Sequence, residues 1–429
     1  MSTAAESPEE GSPRTSYAAV FQVREFRAVF AAHTLSLLGV VVCEIALTVL
    51  VYQLTGSPLL SALTFALGFL PYLVGGTLFA SVADRYPARR VLVVCDLVCA
   101  ACVAVMVLPG TPVGGLLALR CVVASISPVF TGTRMAALTD ILGEGDLFVL
   151  GRSLLRIVSQ SAVLAGFGAG GLLLAALSAR GAITVTLVTF LLSATLLRLG
   201  TKARPARSSG GGTLLRESLT GARRVFADRR MRALMLLLWV PTGFVVAPEA
   251  LAAPYADRIG AGPAALGLMM CAMPVGHIAA ELYVGSRLSP RSRSRVTLPL
   301  AAAGLLPFLV YVLTPGLALT SFVLLLAGAA GAYVMGVDAW FVAAVPEDLK
   351  GSAMTLMAAG LMTIQGVGMA LSGLAAEFFP VSYVVAGAGV LGTLCSLLLV
   401  REVKQAQEAA GRTEPTEERD GADQHVTAG

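Results

Sequence analysis

Apolar residues gather along this chain into twelve long runs, each close to the ~20 residues a helix needs to cross the hydrocarbon of a bilayer. They fall at 27–54, 59–82, 90–109, 113–137, 150–178 and 181–199, then at 233–256, 262–285, 296–314, 317–345, 351–378 and 381–400. Turn-forming stretches separate them, among them Thr55-Gly56-Ser57-Pro58, Pro109-Gly110-Thr111-Pro112 and Thr314-Pro315-Gly316. Polar sequence remains at both ends and at 200–232, where Ser208-Ser209-Gly210-Gly211-Gly212 reads as linker. The pattern predicts an all-α polytopic membrane protein with twelve transmembrane helices in two six-helix, pseudo-symmetric bundles. The expected organisation is a disordered cytoplasmic N-terminus (1–22), a bundle (23–199), a cytoplasmic linker (200–232), a second bundle (233–402) and a disordered cytoplasmic tail (403–429).

Composition supports the membrane reading. Hydrophobic residues make up 56% of the 429 and charged residues only 13%, against about a quarter charged in soluble domains. Soluble, collagenous and disulfide-scaffold classes are excluded on these figures. The first twenty residues are polar and hold Glu6, Glu9 and Glu10, so no cleavable signal peptide is read there. All seven cysteines lie in apolar runs, where free cysteine packs as a small hydrophobe. Cys95, Cys99 and Cys102 share a helical face, but no histidine or fourth thiol completes a metal site. Neither metal nor cofactor is expected.

Charge sets the orientation. Of the 31 Lys and Arg, 27 fall on the side that holds both termini, Arg180 and Arg258 on the other, and Arg120 and Arg156 inside runs. The positive-inside rule then puts both termini in the cytoplasm of a multi-pass protein. The basic central loop is explained by topology and anionic lipid, without nucleic acid. Arginine outnumbers lysine, and Ala, Gly and Val are abundant, which suits a high-GC bacterium and its cytoplasmic membrane. A weak internal repeat adds to the two-bundle reading. Leu70-Pro71-Tyr72-Leu73-Val74-Gly75 precedes a basic turn, and Met273-Pro274-Val275-Gly276 precedes another about 200 residues later.

Several stretches resemble the major facilitator superfamily, in its bacterial drug- and siderophore-exporter-like branch. They are Ser36-Leu37-Leu38-Gly39 through Tyr52-Gln53-Leu54-Thr55-Gly56-Ser57-Pro58, the loop Ala83-Asp84-Arg85-Tyr86-Pro87-Ala88-Arg89-Arg90, Arg120 in the fourth run, and Gly166-Phe167-Gly168-Ala169-Gly170-Gly171. The chain departs from the family pattern at Ala80 and Pro87, where glycine is usual, and at Phe167, where proline is usual. The resemblance implies a secondary transporter working by rocker-switch alternating access. It implies that Asp84, Arg85, Arg89 and Arg90 form a gating loop that latches the outward-facing state, and that Gly166, Gly170 and Gly171 belong to an antiporter-like motif. Runs 1, 4, 7 and 10 line the cavity in this family, and each holds an ionisable candidate here: Glu44, Arg120, Glu249 and Asp338.

A charged group at a helix centre costs about 2.5–3.5 kcal/mol, so such groups point to function. Glu44 lies about 15 Å below the outer end of its run at 1.5 Å per residue, near midplane. A Glu44–Arg120 pair can serve as a proton-coupled toggle or as a structural ion pair, with Glu249 and Asp338 as further coupling candidates. His277 and Glu281, four apart, can pair. Asp96 and Arg156 are expected within reach of water near the cytoplasmic ends. No His-Glu-x-x-His motif or Gly-x-x-x-x-Gly-Lys loop occurs, which argues against an enzyme and against ATP-driven pumping. The expected function is proton-coupled efflux of an amphiphilic organic molecule such as a drug, antibiotic or siderophore by a monomer. Its partners would be the small-molecule substrate, protons and the lipid bilayer. An importer, or a non-transporting scaffold or sensor, remains the alternative.

Overall fold

The computed structural model describes residues 17–69, 86–143, 146–202, 204, 223–346 and 349–413. All regular structure among them is helical. A short helix, Tyr17–Gln22, leads into α1 (Arg24–Thr55), followed by α2 (Pro58–Phe69), α3 (Ala88–Val107), α4 (Val113–Leu142), α5 (Asp146–Ala176) and α6 (Ala179–Gly200). The second half begins with α7, which runs Arg229–Val245 and continues as Ala247–Ala250 and Ala252–Arg258. Next come α8 (Pro263–Arg287) and α9 (Pro290–Ala303), the latter prolonged by a 3-10 turn, Leu306–Leu313. α10 is in two pieces, Leu317–Ala330 and Tyr333–Ala344, and α11 (Lys350–Phe378) and α12 (Val381–Thr413) are the last described elements; α12 carries helix over 403–413, part of the tail expected to be disordered.

Eleven of these are long and apolar enough to cross a membrane. The remaining predicted run, 59–82, is represented by α2, a shorter apolar helix; the rest of that run, 70–82, lies outside the described residues.

Local chemistry explains the ends. α1 stops where Gly56, at φ 66°, donates its N–H to Tyr52 O at 2.7 Å, a left-handed cap that glycine takes without strain. α2 starts on a Ser57 cap with Pro58 as its first residue, where a missing N–H costs nothing. α6 starts on Ser178, whose hydroxyl accepts from Gly181 N, and α7 on Asp228, whose carboxylate accepts from Met231 N at 2.7 Å.

Within the first bundle α1 packs against α5 and α6, and α3 against α4 and α6; within the second, α8 packs on α10 and α7 on α11 and α12. The main helix pairs that join the bundles are α2 with α11 and α5 with α8, and the short pieces of α7 also touch α1 and α2. The core shared by the bundles draws Val246, Ala250, Ala256, Leu266 and Met369 from the second together with α1, α2 and α5 of the first. Toward the termini the cores are separate, one around Phe26 and Leu138, the other around Leu234 and Phe341. The bundles are therefore sealed together at the loop face and part toward the terminal face.

The seal has named parts. A Cβ at Gly171 would lie 2.7 Å from Gly267 Cα, so α5 and α8 touch backbone to backbone. One at Gly373 of α11 would lie 2.6 Å from Ala62 Cβ of α2. Glu377 of α11 accepts hydrogen bonds from Ser57 Oγ and, at 3.0 Å, from Leu59 N. An acid from one bundle thus satisfies an orphan N–H in the first turn of a helix in the other.

Candidate functional site

A large cavity, about 530 Å³, is walled by α7, α8, α9, α10 and α11, with Phe167 of α5 reaching in from the first bundle. Its wall is mainly aliphatic and methionine-rich, including Met269, Met270, Met273, Met357 and Met362. Methionine is flexible and polarisable, so such a wall adapts to varied apolar shapes. The polar exceptions include Glu249, Asp338, His277, Gln365 and Thr242.

Irregular backbone presents both acids. α7 breaks at Val246 and again at Leu251, and Pro248 and Pro254 in the short pieces can donate no helical N–H. Glu249 sits in the four-residue piece between the breaks. α10 breaks at Gly331, where Gly331 N bonds Gly328 O at 2.9 Å and Ala332 N bonds Ala329 O at 3.2 Å, a tightened turn ahead of Asp338. Broken helices inside a membrane are tolerated where they line a cavity. The α8–α10 wall closes through glycine: a Cβ at Gly276 or Gly328 would strike Leu325 O or Met273 O.

Glu44 and Arg120 stand elsewhere, beside a small void in the first bundle. They form an ion pair, their side chains only 15% and 7% exposed. Arg120 Nε also donates to Thr64 O at 3.1 Å, which ties α4 to α2. Gly68 clears the space, because a Cβ there would lie 3.0 Å from Glu44 Oε1. Of the four predicted cavity residues, then, Glu249 and Asp338 share the large hollow and Glu44 and Arg120 pair outside it. Glu249 nonetheless lies within electrostatic reach of Glu44. His277 Nε2 and Glu281 Oε1 are 3.2 Å apart, the pair their spacing suggested.

In the loop after α2, Asp84 and Arg85 lie outside the described residues. Arg89 donates to Arg198 O at the end of α6, where a cation complements the helix dipole, and Arg90 is exposed. The glycine motif of α5 divides its work. Cβ atoms at Gly166 and Gly170 would strike Val41 and Ile45 of α1, so these two glycines seat α5 within its own bundle, and Gly171 alone faces Gly267 of the other bundle.

One cluster went unread in the sequence. Asp96 of α3, expected within reach of water, is 0% exposed and accepts hydrogen bonds from Ser193 Oγ of α6 at 2.6 Å and Ser36 Oγ of α1 at 3.5 Å. Arg134 lies within its electrostatic reach. The signal was present in the hydroxyl residues Ser36 and Ser193 on otherwise apolar helices, but it names no partner. Arg134 also lines a second cavity, about 300 Å³, between α1, α3, α4, α5 and α6. Among the described residues no three His, Cys, Asp or Glu side chains converge as a metal site would require.

Residues 29–335, most of the chain, match the family model of the Major Facilitator Superfamily. The chain belongs to this superfamily. As a member it is a multi-pass membrane protein of a transporter family. It is similar to the multidrug efflux pump Tap of Mycolicibacterium fortuitum, at 28% identity over 268 residues. That match covers 58% of this chain and 64% of the pump, so it spans less than two thirds of the relative's length. Among solved structures, a bacterial homologue of the human lysosomal transporter Spinster, inward-facing and unoccupied, aligns with TM-score 0.60 and 15% identity over 92% of this chain and 96% of that one. A point mutant of the nucleoside transporter NupG aligns with TM-score 0.67 and 16% identity over 88% and 99%. A POT family transporter bound to a thioalcohol-conjugated peptide gives 0.69 and 11% over 89% and 96%. At these identities the three share the superfamily fold with this chain.

Proposed function

We infer that this superfamily member is a proton-coupled exporter of amphiphilic organic molecules, working by alternating access in a bacterial cytoplasmic membrane with both termini in the cytoplasm. The observation that carries the reading is the large apolar, methionine-rich cavity with two carboxyl groups, Glu249 and Asp338, in its wall. An apolar hollow of this size suits a greasy ligand, and a few placed polar groups orient it. The two bundles, 23–199 and 233–402, are the moving bodies, and 200–232 is the linker that lets them rock. The bias of Lys and Arg toward the side of the termini supports the orientation. The likeness to a multidrug efflux pump supports export.

A carboxylate in such a wall can hold a proton or face a cationic or hydrogen-bonding group of the substrate, but not both at once. Competition between the two at Glu249 and Asp338 is the chemical basis of antiport. Glu44 stands close enough for its charge, set by its pairing with Arg120, to bias that competition. The Gly171–Gly267 crossing and the Glu377–Ser57 contact close the outer side while the substrate enters from the cytoplasm.

The test is transport into proteoliposomes, with ethidium as cationic probe and an imposed pH gradient. Uphill ethidium movement should run against the proton gradient and stop when nigericin collapses it. Glu249→Gln and Asp338→Asn should lose the uphill component while retaining downhill exchange. Uphill transport indifferent to the gradient, or unimpaired in both variants, would overturn proton coupling at these acids.

A further inference from the structure

The second cavity, in the first bundle, has a chemistry opposite to the first. It is lined by Arg134 of α4 and Arg152 of α5, with His33, Ser127, Thr131 and Ser159 around them. Among the described residues neither arginine has a carboxylate within ion-pair distance. The guanidinium of Arg134 is held over the Phe130 ring, 5.5 Å from its centroid, which orients it without neutralising it. Arg152 is exposed.

His33 is 4% exposed and its Nδ1 has no hydrogen-bond partner. Its other nitrogen lies 3.1 Å from Ser159 Oγ, which already donates to Leu155 O at 2.8 Å. Ser159 therefore accepts from His33 Nε2–H, and Nδ1 is left as a buried polar atom in need of a partner. The acid nearby is Asp96, behind the wall, where Ser36 and Ser193 occupy its oxygens. The wall itself carries two guanidinium groups and no carboxylate, so the pocket presents positive charge.

We propose that this pocket is an anion subsite, which receives the carboxylate or phosphate group of an amphiphilic ligand on Arg134 and Arg152. The planar fork of arginine matches such groups with paired, charge-assisted hydrogen bonds. An acid O–H, or a water held by the anion, supplies the donor that His33 Nδ1 lacks. Along α5, Ser159 in this pocket and Phe167 in the apolar cavity are eight residues apart, about 12 Å at 1.5 Å per residue. A zwitterionic or acidic amphiphile of that length can place its anion here and its body in the other cavity. The inference builds on the exporter reading by naming a substrate class.

Binding rather than transport tests it, so loss of anion recognition is separable from failure of the exporter reading. The full chain in phosphatidylcholine nanodiscs is titrated with dansylglycine and with its uncharged methyl ester. The wild type should bind the acid about tenfold or more tightly than the ester. Arg134→Gln should lose that margin while binding the ester as the wild type does, and Arg134→Lys should recover part of it. Arg152→Gln, at an exposed position, should narrow the margin as well. Replacing some phosphatidylcholine by phosphatidylglycerol separates the sources of the anion. Competition with dansylglycine assigns the pocket to a lipid headgroup, and no competition assigns it to a soluble acid. Equal wild-type affinity for acid and ester, or equal loss of both probes in the arginine variants, would overturn the subsite.

Discussion

Alanine at position 171 tests whether the outer seal is one of two states. Its Cβ would lie 2.7 Å from Gly267 Cα and 3.0 Å from Gly267 N and Pro263 O. All three are backbone atoms, so no side chain can rotate away. Ordinary Cβ contacts are 3.4–4 Å, so α5 and α8 must part by about 1 Å at this point. Overpacking of this kind costs about 1–3 kcal/mol. The cost falls only on the state in which α5 and α8 cross here, and a conformation open at the loop face escapes it. The equilibrium should therefore shift about 5- to 150-fold toward the open state. Spin labels on cysteines at Gly110 and Leu313, one per bundle on the loop face, report the change as growth of the longer-distance population. Gly166→Ala is the control. Its Cβ would press on Val41 within the same bundle, at 2.7 Å, so it should lower thermal stability without moving the labels. A folded Gly171→Ala protein with the wild-type distance distribution would refute the argument, as would an equal shift in the control.

Other outcomes follow from the same geometry. Arg120→Leu leaves Glu44 buried without its cation and should cost about 3–5 kcal/mol in detergent unfolding, whereas Glu44→Gln with Arg120→Gln should be markedly less destabilised; equal melting of the two proteins would contradict this. Glu377→Gln weakens the contact with Ser57 and Leu59 N and should raise the open-state signal of the same label pair by a factor of a few, about 1 kcal/mol. Asp96→Ala should cost about 1–3 kcal/mol because the hydroxyls of Ser36 and Ser193 lose their acceptor, and Asp96→Asn should cost less because an amide oxygen still accepts. Wild-type stability of Asp96→Ala by thermal unfolding would count against that account.

Much of the fold was legible before any coordinates, and the reason is local. A helix in lipid must satisfy every backbone group within its own segment, so a run of about 20 apolar residues already dictates a spanning helix. That logic placed the spans, found Glu44, Arg120, Glu249 and Asp338 inside them, and paired His277 with Glu281 across one helical turn. Long-range pairing was not legible. Arg120 meets Glu44 from 76 positions away, and Asp96 is held by hydroxyls 60 and 97 positions distant. Sequence marked each of these groups as costly but not which helix would answer it.

Glycine shows the same division. Gly166, Gly170 and Gly171 read as one motif, yet the first two face Val41 and Ile45 of their own bundle and the third faces Gly267 of the other. The hundred-degree step between helix positions turns neighbouring residues to different partners. Lipid provides no hydrophobic drive to choose among those partners, so shape complementarity between distant backbones decides. The chain by itself determined that it spans the membrane many times and carries ionisable groups there. Tertiary packing decided that these groups divide between an acidic, methionine-lined hollow, an arginine-lined one and the Glu44–Arg120 pair beside neither, because only the meeting of helices remote in sequence creates a cavity.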